Sequence, residues 1–204
     1  MNILGIGCFY HDASACLVSD GRLVAAAEEE RFTRKKHDIT FPINSINYCL
    51  REGGIDISKV DYIAFYEKPI QKFERILYQH MDAFPKSAWT FFKTMPAFLN
   101  EKIRVRSIIR KKLGYDGKIL FIDHHLSHAA SSYLVSPFKE AAIVTADGVG
   151  EWATTTVGTA KGSDILSVEL ETTTAMGLPA GGSHFMPHPG SADNFLSNSN
   201  GQPQ

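Results

Sequence analysis

The stretch Ile119-Leu120-Phe121-Ile122-Asp123-His124-His125-Leu126-Ser127-His128 joins a predicted strand to a predicted helix. The four apolar residues 119–122 follow Gly117-Lys118 and indicate a buried strand. Asp123 is a residue type that caps helices, and residues 124–134 have the spacing and composition of a helix. A strand that leads directly into a helix predicts an α/β fold.

The histidines of this stretch are candidate metal ligands. His124 and His128 are four residues apart, so on a helix their imidazoles share one face. His125 projects about 100° away and need not be a ligand. A second predicted strand, 141–145, places Asp147 at its end as an oxygen ligand. Two imidazoles and a carboxylate suit iron, zinc or manganese. On spacing alone, two histidines on one helix face are as often accidental, and the glutamate of a HExxH hydrolase is absent.

Composition and charge argue for a folded globular protein and against several other classes. The chain has 204 residues, enough for one large domain or one and a half smaller ones. Its 44% hydrophobic and 21% charged content is typical of a folded globular protein. A net charge of −1 argues against a nucleic-acid binder. With no signal peptide and no run near the roughly 18 apolar residues of a membrane span, we expect a cytoplasmic protein that binds no membrane.

The three cysteines, Cys8, Cys16 and Cys49, lie in apolar strand or helix patterns without CxxC spacing. Such residues are typical of small buried side chains in a reducing compartment. We therefore expect free thiols in the core and no disulfide framework.

A strand–loop–strand unit occurs twice in the sequence. The predicted strands are 3–7, 13–18 and 23–28 in the first unit and 142–146, 152–159 and 165–171 in the second. Turns at Asp20-Gly21 and 161–164 join the last two strands of each unit, which indicates hairpins. Each unit also has a polar or glycine-containing loop, 8–12 or 147–151, whose backbone could approach phosphate oxygens. Two ordinary hairpins are the alternative interpretation.

Helices are predicted between the two units. A helix begins after Thr40-Phe41-Pro42 and ends at Gly53-Gly54. Residues 60–66 indicate a strand, and 71–113 indicate two or three helices. The first helix has one apolar face, formed by Ile43, Ile46, Cys49 and Leu50. A basic cluster near the end of the helical region is interpreted as a solvated face, with anion binding as the alternative: Arg104, Arg106, Arg110, Lys111 and Lys112.

Four separated motifs carry a family resemblance. They are Gly7-Cys8-Phe9-Tyr10-His11-Asp12-Ala13-Ser14-Ala15, then Glu28-Glu29-Glu30-Arg31-Phe32-Thr33-Arg34-Lys35-Lys36-His37-Asp38 with Phe41-Pro42, then Asp123-His124-His125-Leu126-Ser127-His128-Ala129-Ala130-Ser131, and Asp147-Gly148-Val149-Gly150-Glu151-Trp152-Ala153-Thr154. In this order they resemble the N-terminal domain of the O-carbamoyltransferases, the nodulation-factor and antibiotic-tailoring enzymes. The resemblance covers roughly residues 1–171.

The resemblance implies an actin/hexokinase-like (ASKHA) fold with a duplicated lobe. The first lobe would be 1–140, with a helical insert at about 71–113, and 141–171 would begin the second lobe. In such enzymes a carboxy-terminal domain makes carbamoyl adenylate from carbamoyl phosphate and ATP. The amino-terminal domain binds this adenylate beside a metal and passes the carbamoyl group to a hydroxyl of a small acceptor.

The resemblance also assigns roles to individual residues. His124, His128 and Asp147 would ligate the metal, with iron favoured and zinc or manganese as alternatives. His11 would touch the donor or acceptor and help remove the acceptor proton, or else make a structural hydrogen bond. Lys36 would reach carbamoyl or phosphate oxygens, with a solvated loop as the alternative.

Two further assignments complete the expected site. Asp12 would orient the first loop or hold water at the metal. Gly148, Val149 and Gly150 would bind the nucleotide through their backbone.

Residues 172–204 are rich in Thr, Gly, Ser, Asn and Pro, so we expect a disordered tail outside the resemblance. We therefore expect a truncated chain that lacks the adenylate-forming domain, and a homodimer stays open. Two alternatives remain. A sugar- or acetate-kinase-like phosphotransferase would use magnesium, which the histidine pair disfavours because magnesium prefers oxygen ligands. A non-catalytic nucleotide-binding lobe is the other alternative.

Overall fold

The computed structural model describes residues 1–101, 103–148 and 151–170. The chain divides into two compact units, Met1–Ser127 and a second that begins at His128. The strands are β1 (Asn2–Gly7), β2 (Ser14–Ser19), β3 (Arg22–Glu28), β4 (Tyr62–Phe65), β5 (Lys118–Phe121), β6 (Glu140–Ala146), β7 (Thr155–Lys161) and β8 (Asp164–Leu170). The helices are α1 (Glu30–Thr33), α2 (Ile43–Glu52), α3 (Pro69–Asp82), α4 (Ala88–Glu101), α5 (Val105–Leu113) and α6 (His124–Tyr133), with a 3-10 turn at Ile57–Lys59.

The first unit contains a five-stranded sheet in the order β3-β2-β1-β4-β5. The first three strands form an antiparallel meander, whereas β1, β4 and β5 run parallel to one another. Parallel pairs need crossover connections, which are supplied by the segments containing α2 and the helices α3 to α5. This mixed α/β architecture confirms the α/β prediction.

The Asp20-Gly21 hairpin prediction is confirmed. Both residues have positive φ, 48° and 77°, which is the type I′ geometry that fits the twist of two antiparallel strands. Gly5 in β1 is required for a different reason. It faces Cys16 across the sheet, and a Cβ at this position would lie 2.7 Å from Cys16 Sγ.

The core of the first unit lies between this sheet and α2. Leu4, Leu17 and Phe65 are fully buried, and α2 covers β2 and β3. The predicted face of α2 is confirmed for three positions, Ile46, Cys49 and Leu50, all of which are buried. Ile43 is the exception, since it is 38% exposed. The buried face begins instead at Ser45, where the helix end meets a buried carboxylate described below.

The helical region between β4 and β5 contains three helices, α3, α4 and α5, as the pattern predicted. Val105 and Ile109 of α5 join the core of the first unit. The basic cluster is exposed throughout, which confirms a solvated face: Arg104, Arg106, Arg110, Lys111 and Lys112.

The second unit contains a three-stranded antiparallel sheet in the order β6-β7-β8. Its Gly162-Ser163 turn has positive φ at Gly162 only, 61°, which is the type II′ arrangement. Strand β7 begins at Thr155, not at residue 152 as predicted. Its pairing with β6 begins only at Thr155, opposite Ala146, and Asp147 N–H donates to Thr154 O at 2.8 Å next to that pair.

The division between the units falls inside α6, whereas the sequence prediction places the lobe boundary after residue 140. The assignment of these units to two lobes of an actin-like fold stays a prediction. The predicted tail at 172–204 lies outside the described residues. Among the described helices, none combines the length and apolar character needed to cross a membrane.

Candidate metal and donor site

The carboxyl ends of β1, β4 and β5 lie at one edge of the first unit's sheet because these strands are parallel. Ligand sites of open α/β sheets are commonly found at this edge. The chain segments that leave it are the loop 8–12, Tyr66-Glu67-Lys68 and Asp123-His124. The loop with His11 and Asp12 and the start of α6 with His124 therefore both follow strands at this edge of the sheet.

Asp123 caps α6 as predicted. Its Oδ1 accepts the Leu126 N–H at 3.2 Å, and its backbone O accepts the Ser127 N–H at 2.8 Å. Ser127 Oγ also donates to Tyr66 O at 3.0 Å, and Lys68 Nζ lies 3.6 Å from Asp123 Oδ2. The first turn of α6 is therefore tied to the segment that follows β4.

His124 and His128 lie one turn apart on α6, as the spacing predicted. His124 is buried, and its ring centroid lies 5.8 Å from that of Tyr66. His128 is half exposed. The ring of His125 is nearly perpendicular to that of His124 and is also buried, so His125 is a core residue of this helix.

In the second unit, Asp147 follows β6 directly and is held by its backbone bond to Thr154. His128 Nε2 lies 4.0 Å from Asp147 Oδ2. This separation is too long for a hydrogen bond. Two ligands that each lie about 2.1 Å from one cation can be up to about 4.2 Å apart, so the pair fits a shared ion. Its two donor types, imidazole and carboxylate, suit a transition metal.

The loop after Asp147 carries the predicted nucleotide-binding residues. Gly148 belongs to this loop, while Val149 and Gly150 lie outside the described residues. Glu151, which the family motif includes, is 5% exposed. The nucleotide role of 148–150 stays a prediction.

The first loop brings His11 and Asp12 together with a residue that the sequence analysis did not single out, His37. His11 Nδ1 lies 2.8 Å from Asp12 Oδ2, and His37 Nδ1 lies 2.8 Å from Asp12 Oδ1. The hydrogen bond from His37, then that from His11, lowers the pKa of Asp12 below its ordinary value. Lys36 precedes His37 in an exposed turn. One carboxylate thus joins the loop of His11 to the turn of Lys36.

Glu30 completes this group, because its Oε2 accepts a hydrogen bond from the backbone N–H of His37 at 3.1 Å. Ligand atoms of Asp12, Glu30 and His37 lie within 4.8 Å of one another, close enough for a metal site. Both oxygens of Asp12 already accept histidine hydrogens, however. We therefore interpret the group as a hydrogen-bond network.

Sequence reasoning missed a buried carboxylate in the second family motif. Glu29 is 1% exposed and accepts four hydrogen bonds at the start of α2. The donors are the backbone N–H and Nδ2 of Asn44 and the backbone N–H and Oγ of Ser45. A carboxylate is favoured there because the N-terminus of a helix carries partial positive charge. In the sequence Glu29 follows a strand among two other glutamates, so no local signal marks it.

A buried ion pair beside the first loop was also missed. Lys72 Nζ lies 2.5 Å from Glu67 Oε2, and both side chains are at least 95% buried. The same ammonium lies 4.9 Å from the ring centroid of Tyr10. The buried ammonium therefore makes a cation–π contact with Tyr10, the neighbour of His11 in the first loop.

Comparison with known proteins identifies the family. A family model described as the carbamoyltransferase N-terminus matches residues 2–193. The chain belongs to the carbamoyltransferase N-terminal family. The O-carbamoyltransferase resemblance is thereby confirmed. The expectation that it ends near residue 171 is wrong, because the match continues to residue 193, into residues that the structure does not describe.

Two relatives extend over most of this carbamoyltransferase-family chain. The uncharacterized protein sll1178 of Synechocystis sp. is 48% identical over 172 residues, which cover 80% of this chain and 28% of that protein. The nodulation protein NolNO of Sinorhizobium fredii is 34% identical over 163 residues, covering 77% of this chain and 22% of that protein. The chain therefore spans less than a third of the length of these relatives.

Solved structures are also similar over much of the chain, and one of them is YeaZ. YeaZ from Pseudomonas aeruginosa covers 88% of this chain and 72% of its own, with 15% sequence identity and a TM-score of 0.44.

Proposed function

We propose that this chain forms the donor-binding and metal-holding part of a carbamoyltransferase. The reaction would move a carbamoyl group from carbamoyl phosphate, by way of carbamoyl adenylate made with ATP, to a hydroxyl of a small acceptor. Membership of the family supports the general activity. The observation that carries the metal part of the proposal is the 4.0 Å separation of His128 Nε2 and Asp147 Oδ2.

His124, His128 and Asp147 would hold one divalent cation. The family resemblance favours iron, and the donor set suits zinc and manganese as well. When bound, the cation would polarise an oxygen of the donor. Because His128 and Asp147 are only partly buried, with 50% and 29% of their side chains exposed, a donor could approach this position from solvent.

The residues of the first loop and turn would act on the transferred group. The acceptor oxygen bonds to the carbamoyl carbon, the bond from that carbon to the phosphate oxygen breaks, and AMP leaves. His11 would take the proton of the acceptor hydroxyl. The Lys36 ammonium would stabilise negative charge on the carbamoyl or phosphate oxygens. Backbone N–H groups of 148–150 would hold the adenylate phosphate.

The duplicated actin/hexokinase-like fold belongs to this proposal. The strand order and the two meanders support it. In each meander, the loop between the first two strands contains one residue of the candidate site. In the first unit this loop carries His11, and in the second it carries Asp147. The adenylate would be made by a further domain of the carbamoyltransferase.

Binding of a stable donor analogue tests the proposal. A carbamoyl adenylate analogue with sulfamate in place of the phosphate is titrated into the chain by calorimetry, with iron(II), zinc or manganese(II) present. We expect saturable binding that requires one of these metals and is weakened about tenfold or more by Lys36→Met. Lys35→Met, one position earlier in the same exposed segment, is the matched control. No binding with any of the three metals would contradict the proposal, and binding of ATP with magnesium alone would favour a phosphotransferase.

A further inference from the structure

The two loops that carry His11 and Lys36 are joined by one shared carboxylate. Asp12 accepts from His11 Nδ1 through one oxygen and from His37 Nδ1 through the other, each at 2.8 Å. An ionised carboxylate is an acceptor only, so both imidazoles must donate from Nδ1. The hydrogen bonds lower the pKa of Asp12 and so keep it in this acceptor form.

Donation from Nδ1 fixes the state of the other ring nitrogen. In a neutral imidazole only one nitrogen carries a hydrogen, so Nε2 of His11 is left as an acceptor. A carboxylate holds the imidazole in this way in catalytic triads, where the free nitrogen takes a proton. The same arrangement makes His11 Nε2 able to accept the proton of a hydroxyl.

The backbone shows that this geometry is imposed by the fold. Asp12 and His37 have positive φ, 50° and 53°, a conformation that non-glycine residues adopt infrequently. Such conformations persist where surrounding contacts hold them, and they are frequent at functional sites. Glu30 supplies one such contact, since its Oε2 accepts the His37 N–H.

We propose that His37 is a positioning residue: it holds Asp12, which in turn holds His11 with Nε2 free to accept a proton, and it fixes the turn that carries Lys36. This inference deepens the proposed function and rests on it for the role of His11. His37 itself does not contact the reacting atoms. Its effect would pass through Asp12 to His11 and along the chain to Lys36.

Two substitutions separate the effect of the His37 hydrogen bond to Asp12 from the effect of the backbone conformation at His37. His37→Gly removes the ring at a position where glycine accepts positive φ without strain. His37→Asn also tolerates this conformation and restores an N–H donor near the position of Nδ1. Lys35→Gln is the control in the same segment.

Nitrogen-15 NMR of the full chain reads the ring states at pH 8, where histidine rings are ordinarily neutral. We expect His11 to carry its hydrogen on Nδ1 in the wild type, in Lys35→Gln and in His37→Asn, and to lose this preference in His37→Gly. Equal ring states in wild type and His37→Gly would overturn the inference. So would a wild-type His11 with its hydrogen on Nε2.

A rate measurement gives a second readout that a merely structural role would not move. AMP release is followed with freshly prepared carbamoyl adenylate and glycerol as acceptor. We expect kcat to fall about tenfold in His37→Gly with KM nearly unchanged, and to recover in His37→Asn. Unchanged kcat in His37→Gly would overturn the positioning role. If the wild type releases no AMP, the proposed function fails, while the ring states still decide whether His37 positions His11.

Discussion

The two antiparallel meanders of this molecule have the same local design but different burial. In the first, β1-β2-β3, inward side chains such as Leu4 and Leu17 are fully buried, and α2 covers β2 and β3. In the second, β6-β7-β8, Ile143 and Ala160 belong to a smaller buried cluster, while the apolar residues Val144 and Leu166 on the other face are 68% and 66% exposed. Alternating sequence and turn residues are thus enough to form a meander. Its contribution to stability depends on what covers it.

The largest expected difference between the meanders comes from truncating one leucine in each. Leu17→Ala should lower the free energy of unfolding by about 3 kcal/mol, because it leaves a cavity in a packed core. Leu166→Ala should change it by less than about 0.5 kcal/mol, because that side chain is mostly in solvent. Urea unfolding followed by circular dichroism measures both. Equal losses would show that the burial difference does not set stability.

The second prediction concerns the carboxylate that joins the first meander to α2. Glu29→Gln should cost about 2 kcal/mol in the free energy of unfolding, because an amide accepts with one oxygen and turns its NH₂ toward donors that the carboxylate satisfied. Glu28→Gln, at the neighbouring partly exposed position, is the control and should cost less than about 0.5 kcal/mol. A Glu29 variant as stable as the Glu28 variant would refute the capping role.

The turn glycines of the two meanders should contribute equally to stability, although the two meanders differ in burial. Gly21→Ala and Gly162→Ala should each cost about 1 kcal/mol, because both glycines have positive φ and a Cβ would meet no other atom. Ser163→Ala, the next residue of the second turn, should be nearly neutral. Unfolding in urea again gives the values. A much larger loss at Gly21 would mean that burial and not turn geometry determines the cost.

The smallest expected effect concerns the thiols of the first unit. Burial, followed by the nearby Cys16 thiol, raises the pKa of Cys49 to about 11. Because the folded protein holds this proton more tightly, the resulting stability is present below about pH 9 and is lost as the pH rises toward 11. Iodoacetamide at pH 8 should label Cys49 slowly in the folded chain and rapidly in urea. Rapid labelling of the folded chain would contradict the burial of this thiol.

Short sequence patterns predicted most of the strands, helices and turns, because interactions between residues close in sequence determine them. The strand of 119–122, the Asp123 cap and the Asp20-Gly21 turn are set by residues adjacent in sequence, and all three are confirmed. The start of β7 was placed too early because it depends on where β6 stops pairing, at Ala146 opposite Thr155, and no short pattern in β7 encodes that partner.

Only the part of the candidate site that depends on local spacing could be predicted from the sequence. The spacing of His124 and His128 follows from helix periodicity, whereas the approach of Asp147 depends on how α6 and β6 pack. His37 and Glu29 escaped notice because their partners are 25 and 15 or 16 residues away in the chain.

Metal analysis tests the central claim most directly, namely that His124, His128 and Asp147 share one cation. The purified chain is loaded separately with iron(II), zinc and manganese(II), dialysed, and measured by mass spectrometry beside His124→Ala, His128→Ala, Asp147→Asn and the control His80→Ala. We predict about one equivalent of one metal in the wild type and in His80→Ala, and loss of most of it in the other three variants. Equal metal content in all five proteins would contradict the claim.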